Sequence, residues 1–537
     1  MMPISVSDAS VIALVISGVL LWQRNRLAKT HRGLPLPPGP PGVPLFDNLF
    51  DIPSSYEWVT YRDWSLRYSS DLVYFKAFGK HTVVVNTARA ANDLYEKRSA
   101  IYSDRPVITS MKYLGLEWVT LFLPYNEEWR QHRKLFHEEF KPQALAAYET
   151  HQRESVHAFM RTLVSDPDDF RAGVRHLTGR IIMRIAYGID IQDHDDPYVR
   201  IAEETMDAMN TGATFKGLIF DFVPFLKYMP AWFPGAGFKN YAAKMYPSVS
   251  RASLDVPWDA MIEAKRTEPD GHRRPSAARN LLEKYGQDPS VHDLLRAVPG
   301  TAYLGAADTT ASSLTSFFLA MVLYPVAQKK AQAELDSILD GAPPTLQDQN
   351  RLPYTSALVK EIFRWHPPPS LIPPHRLMKD DVYEGMFLPE GCAVIANAWA
   401  ILRDAKLYPL PDTFDPAHFI PTDQGGTYPV DACKDGEPLF PEATFGFARR
   451  LCPGRALAKS TVWLTVASVL STFDITPAKD PQGNDVPIIE TWSSGIVGYP
   501  AYIITRVSSE DAVRPVERWP LNLRAPYLIV VTLLSRV

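Results

Sequence analysis

Four stretches of this 537-residue chain carry residue types that could do chemistry. Phe445 to Arg455, FGFARRLCPGR, sets Cys452 in a Gly/Pro-flanked turn ahead of an apolar run, Ala456 to Val466. A thiol at a helix entrance is placed to ligate a metal. The free N–H groups and positive dipole end there favour a thiolate over a thiol. Gly446 and Gly454 permit a tight backbone path and close approach of a flat ligand. Arg450 could neutralise an acidic group on that ligand. Gly305 to Thr310, GAADTT, sets the acid of Asp308 beside the hydroxyl of Thr309. The small residues before the acid leave room for water or dioxygen where a helix backbone loosens. Trp129 and Arg133, four apart in EEWRQHRKLFHEEF, share a helix face and present only donors, which suits a carboxylate. Glu361 and Arg364, three apart in KEIFRWHPPP, can form an ion pair.

Each stretch has a bland counterpart. These are a buried free cysteine, a threonine bonded back to its own helix, an ordinary amphipathic helix, and a solvated surface pair. What favours chemistry is their occurrence together in one chain.

The elements that must position these residues are legible. Asp293 to Leu323 is the longest helical candidate and ends before Pro325; Pro299 within it is expected to kink or restart the helix. Leu72 to Asn86 reads as two strands around Gly79-Lys80. Thr87 to Tyr102 shows Ala91, Leu94 and Tyr95 at helical spacing. Leu34 to Pro44, LPLPPGPPGVP, excludes helix and central strand and reads as a stiff, extended linker. Ahead of it, residues 4–22 form an apolar run of marginal spanning length, followed by Arg24, Arg26, Lys29 and Arg32. That charge order favours a retained anchor with its C-terminal side cytosolic, over a cleaved signal peptide.

At 46% apolar the chain can bury a large core, and a net charge of -4 gives no reason to expect nucleic-acid binding. Three cysteines are no disulfide framework and point to a reducing compartment.

The cysteine turn resembles the haem-binding loop of the cytochrome P-450 monooxygenases, Phe-x-x-Gly-x-Arg-x-Cys-x-Gly. The match is Phe445, Arg450, Cys452 and Gly454, with Ala448 where the family usually has glycine. GAADTT resembles the family's Ala/Gly-Gly-x-Asp-Thr-Thr segment, with Ala306 replacing glycine. Trp129 with Arg133, and Glu361 with Arg364, match two further motifs. The family completes the Glu–Arg pair with an arginine from a Pro-x-Arg-Phe segment; here Pro416 to Phe419 puts His418 in that place, which implies a greater pH dependence. Asp221 to Asn240 is similar to fungal members of the O-methylsterigmatocystin oxidoreductase type, where it joins two lid helices; Trp232 and Phe233 would suit a membrane interface.

The resemblance covers Leu34 to about Arg506. It implies a mainly α fold with a smaller β-rich portion, the cytochrome P-450 fold, tethered by an N-terminal membrane anchor helix. Its domain plan is an anchor and basic flank over 1–33, a proline-rich hinge over 34–44, a catalytic domain over 45–506 and an atypical tail over 507–537. It implies haem b with Cys452 as the axial iron ligand, and Trp129, Arg133, Arg376, Phe445 and Arg450 around the cofactor. Asp308 would connect to the proton supply and Thr309 would hydrogen-bond oxygen at the reacting centre. Glu361, Arg364 and His418 would form a structural network beneath the haem. Leu304, Leu371, Ile372, Ser494, Gly495 and Ile496 would line an apolar substrate pocket.

The implied reaction puts one atom of dioxygen into an apolar small molecule, as in fungal terpenoid or aromatic polyketide biosynthesis. Electrons would come from NADPH through cytochrome P-450 reductase, with cytochrome b5 as a further donor. Arg449, Arg455 and Lys459 would supply positive charge at the docking face. The implied location is the endoplasmic reticulum membrane, single-pass, with the catalytic domain cytosolic. The rivals are a thiolate-haem isomerase or dehydratase, a haem-binding sensor without turnover, and an oxidase of foreign compounds.

Overall fold

A computed structural model describes residues 33–508, except residues 45, 166–168, 194, 268–273, 435–438, 481, 489 and 501–504. The anchor reading of residues 4–22 and all of the tail after 508 lie outside the described residues. In chain order the elements used below are α1 (Glu57–Tyr68), β1 (Leu72–Ala77), β2 (Lys80–Val85), α2 (Glu127–Phe140), α3 (Glu149–Ser165), α4 (Phe170–Tyr187) and α5 (Pro197–Ala213). They continue with α6 (His292–Leu323), α7 (Pro353–Trp365), β3 (His375–Arg376), β4 (Ala393–Ala396), α8 (Arg455–Leu470), β5 (Asp474–Pro477) and β6 (Thr505–Ser508). Helices dominate and the sheets are small, as the mainly α reading expects.

The scaffold is built around α6, which packs against α4, α5 and α8. From Thr310 to Val322 every residue of α6 is buried, and the sequence there is apolar or small and hydroxylic. A buried helix of that kind needs apolar surface all round rather than one stripe. By length and composition Pro289–Leu323 could cross a bilayer, but it lies largely inside the protein, so it is the core. Pro299 sits inside α6 without ending it. The expected restart does not occur.

The β-rich portion is a four-stranded sheet in the order β1-β2-β4-β3. β1 and β2 are antiparallel with Ala77 opposite Lys80, so Phe78 and Gly79 form a two-residue turn, both with positive φ. That is the turn whose twist matches a hairpin. β2 pairs in parallel with β4, and β3 lies antiparallel to β4. After β2 the chain enters short helical turns in which Ala91, Leu94 and Tyr95 are buried, in line with their spacing.

The proline-rich stretch is non-helical and reaches from this sheet to the separate two-stranded sheet that holds Phe387. Tyr74 N–H donates to Pro38 O at 2.9 Å and Phe387 N–H to Pro35 O at 2.7 Å. A Cβ on Gly39 would collide with the Tyr74 carbonyl, so only glycine allows this approach. At the other end, β6 pairs with β5, setting Ser508 opposite Asp474. The paired strand therefore includes Arg506 and runs to Ser508.

Candidate active site

Cys452 lies two residues before Gly454, the residue that precedes α8, and its N–H donates to Phe445 O at 2.9 Å. Burial pushes the thiol up from its ordinary range, while the Gly454 N–H and the charges of Arg133 and Arg455 pull it down. A bound metal ion would reverse that balance, since a coordinating thiol is deprotonated outright. Phe445 packs against Phe363 and Phe440, with ring centroids 5.4 and 5.8 Å away. Gly446 has φ 82°, and Ala448 has φ 47° with its N–H on Glu96 Oε1 at 2.7 Å. Alanine thus holds a left-handed conformation at the position where glycine was expected, which costs about 1–2 kcal/mol.

Close to this turn, three arginines converge from distant parts of the chain. Arg450 donates from Nε to Ser103 O and from Nη2 to Leu123 O, and its guanidinium lies 4.4 Å from the Trp129 ring centroid. Its Nη1 is buried with no partner. Arg105 donates to the Pro373 and Pro374 carbonyls, and its buried Nε has no partner. Arg133 and the Trp129 indole make no side-chain hydrogen bond among the described residues, although α2 brings them to this cluster.

Burial and mutual repulsion pull Arg450 down to about 9, and burial pulls Arg105 down to about 10. Like charges held together with unused donors are a demand for an anion. Arg376 does not share this openness: it ion-pairs with Asp104 at 2.9 Å and is part-exposed. His375 beside it was passed over in the sequence; Nδ1 contacts Tyr102 O at 2.6 Å, and burial keeps the ring neutral.

Across the core, the middle of α6 is not fully buried over Gly305 to Thr309; Gly305 is exposed and a Cβ added to it would meet nothing within 4 Å. A Cβ on Gly454 would likewise face open space. Thr309 Oγ1 donates to Gly305 O at 2.7 Å, the back-bonded geometry, which leaves its lone pairs free. Asp308 contacts Tyr499, a residue the sequence reading missed. Ile496 N–H donates to Asn210 Oδ1 of α5 at 2.9 Å, bringing the C-terminal hairpin onto that helix.

The remaining pocket candidates divide. Leu304 is buried in the main core, and Ile372 lies against Gly446. Gly495 approaches Asn210. Leu371 packs with Trp58 and Trp399 on the sheet side, and the Ser494 hydroxyl accepts from Tyr56 N–H, so neither is brought to the Thr309 opening by its contacts.

Glu361 and Arg364 are wholly buried, not a surface pair. Arg364 donates twice to the Glu361 carboxylate, at 2.7 and 2.8 Å, and to the Leu402, Pro411 and Thr413 carbonyls. His418 Nδ1 lies 3.0 Å from Glu361 Oε1 and its Nε2 lies 2.6 Å from Pro409 O.

A thiol at a helix start, unsatisfied buried guanidinium donors, and open space beside Gly305 and Gly454 fit a flat, iron-bearing dicarboxylate. The family model for cytochrome P450 matches residues 37–503. The chain belongs to the cytochrome P450 family. Its relatives include a cytochrome P450 monooxygenase of Armillaria gallica, 35% identical over 92% of this chain and 96% of the relative. The tryptamine 4-monooxygenase of Psilocybe cyanescens is 35% identical over 91% and 95%. Cytochrome P450 monooxygenase 98 of Postia placenta is 37% identical over 87% and 89%. This cytochrome P450 is accordingly an oxidoreductase of the monooxygenase class, and its family implies haem iron as the cofactor.

Proposed function

We propose that this cytochrome P450 oxidises an apolar small molecule of fungal secondary metabolism, a terpenoid or an aromatic polyketide. One atom of dioxygen enters a C–H bond; the other leaves as water, with two electrons and two protons supplied. The observation that carries the reading is Cys452 at the start of α8 beside a cluster of arginines with unused buried donors.

Cys452 would ligate the iron. Arg105, Arg133 and Arg450, with the Trp129 indole, would hold the two carboxylates of haem b. Bound haem supplies the activation of dioxygen, which an axial thiolate favours. Thr309 presents lone pairs at the opening in α6, and Asp308 beside it would connect to the proton supply. The apolar side chains of Leu304, Ile372 and Ile496 would exclude water and orient the substrate. The Glu361–Arg364–His418 network would hold the loops beneath the haem. Arg376 is better read as a clamp on Asp104.

NADPH, through a membrane-bound reductase with cytochrome b5 as an alternative donor, would deliver electrons at the cysteine face. Arg449 and Arg455 supply positive charge there, while Lys459 is already paired with Glu442 at 2.5 Å. Exposed Phe225, Tyr228 and Trp232 support contact with the endoplasmic reticulum membrane from its cytosolic side. A relative named tryptamine 4-monooxygenase supports biosynthetic oxidation of small molecules.

The test is the carbon monoxide difference spectrum of reduced microsomes. A strongly red-shifted Soret band in the wild type that Cys452→Ser abolishes is expected; its absence with protein present refutes the haem-thiolate site. Turnover of terpenoid and aromatic panels with reductase then tests the substrate class, which turnover of fatty acids alone would sink.

A further inference from the structure

Tyr499 sets its phenol oxygen 2.5 Å from Asp308 Oδ1 and 2.8 Å from the main-chain oxygen of the same residue. A tyrosine hydroxyl carries one hydrogen, and a carboxylate and a carbonyl are both acceptors. One hydrogen serves two such short contacts poorly, whereas a second proton between these three oxygens satisfies both. We propose that Asp308 is a carboxylic acid in the resting protein, donating its hydrogen to the Tyr499 oxygen, while the Tyr499 hydroxyl donates to the Asp308 carbonyl. Tyr499 is thereby a positioning residue that orients this acid and accepts its hydrogen.

The surroundings agree. The groups facing Asp308 are Tyr499 itself, Arg175 of α4, and Glu203 and Asp207 of α5. Arg175 is the one cation among them, and its charge is offset by an ion pair with Glu203 at 2.8 Å. Asp207 and Glu203 oppose a negative charge at Asp308, and burial opposes it more strongly. The Arg175 guanidinium lies 5.7 Å from the Tyr499 ring centroid, and its pair with Glu203 is part-exposed. The Tyr499–Asp308 contact therefore lies inward of a polar rim that reaches solvent.

The arrangement also provides for discharge. When Asp308 gives its proton inward it becomes a carboxylate, and the Tyr499 hydrogen turns from the carbonyl to Oδ1, which is already at bonding distance. A proton from solvent water then restores the acid and the hydrogen turns back. Only O–H rotation is needed in either direction.

What the proton is used for rests on the monooxygenase reading; its location does not. Infrared spectra of the resting holoprotein at neutral pH test the location. A protonated-carboxyl band is expected that Asp308→Asn removes and that Tyr499→Phe moves to higher frequency, because the acid loses its acceptor. If wild type and Asp308→Asn show the same carboxyl bands, Asp308 is ionised and the proposal is wrong.

The pH profile of product formed per NADPH tests the role. Its alkaline limb should vanish in Asp308→Asn. In Tyr499→Phe it should move to higher pH, since the carboxylate loses a donor worth more than the acid's lost acceptor. An unmoved limb in Tyr499→Phe would leave Tyr499 no positioning role. A wild type with no turnover would refute the monooxygenase reading, and the infrared band would still decide the proton.

Discussion

Two clusters of buried charge in this protein differ in what they leave unused. Around Glu361, Arg364 spends all five guanidinium hydrogens on the carboxylate and three backbone carbonyls, and His418 and Asp415 N–H complete the acceptor side. Around Cys452, Arg105 and Arg450 each keep a buried nitrogen without a partner, and Arg133 donates to none of the described residues. The first cluster is closed and balanced; the second is cationic and incomplete. Buried charge that is fully satisfied stiffens a fold, whereas buried charge that is not satisfied anticipates something the chain does not itself contain.

The largest expected effect separates the two clusters directly. Glu361→Gln leaves Arg364 buried beside an amide, and unfolding in denaturant should lose about 3–5 kcal/mol, as for other buried pairs that lose one partner. Arg133→Met should instead change the unfolding of the haem-free protein by less than about 1 kcal/mol. It should speed haem loss to a scavenging protein about tenfold, the scale of one charge-assisted hydrogen bond. Equal destabilisation by both substitutions would erase the distinction between closed and open clusters. The smallest effect belongs to the cysteine turn: Ala448→Gly, relieving a left-handed alanine, should raise stability by about 0.5–1 kcal/mol, read from the thermal midpoint.

The closed cluster was largely legible in the sequence, because Glu361 and Arg364 are three apart on one helix and His418 stands in a recognisable segment. The depth of their burial was not, since the spacing of a surface pair is the same. Cys452, Thr309 and the Trp129–Arg133 face were readable for the same local reason. Arg105 and Tyr499 were not, nor was the approach of Arg175 to Tyr499: each of these meetings spans more than 100 residues of chain, and no periodicity encodes it. Arg376 was visible in its motif, whereas its pairing with Asp104, 272 residues away, was not. Pro299 does not end α6: a proline excludes only one donor and its local ring contacts, and the packing of α6 on three neighbouring helices outweighs that loss.

The bond from Ile496 to Asn210 joins a helix and a hairpin that lie nearly 300 residues apart in the chain. Any displacement of α5 must break this bond or carry the hairpin tip with it, so helix and hairpin move as a unit. Substitutions on α5 and in the hairpin will then be epistatic, their effects on selectivity departing from the sum of the single changes. A lineage drifting toward a new substrate would cross this pair in correlated steps, with Asn210 deciding which hairpin changes are accessible next.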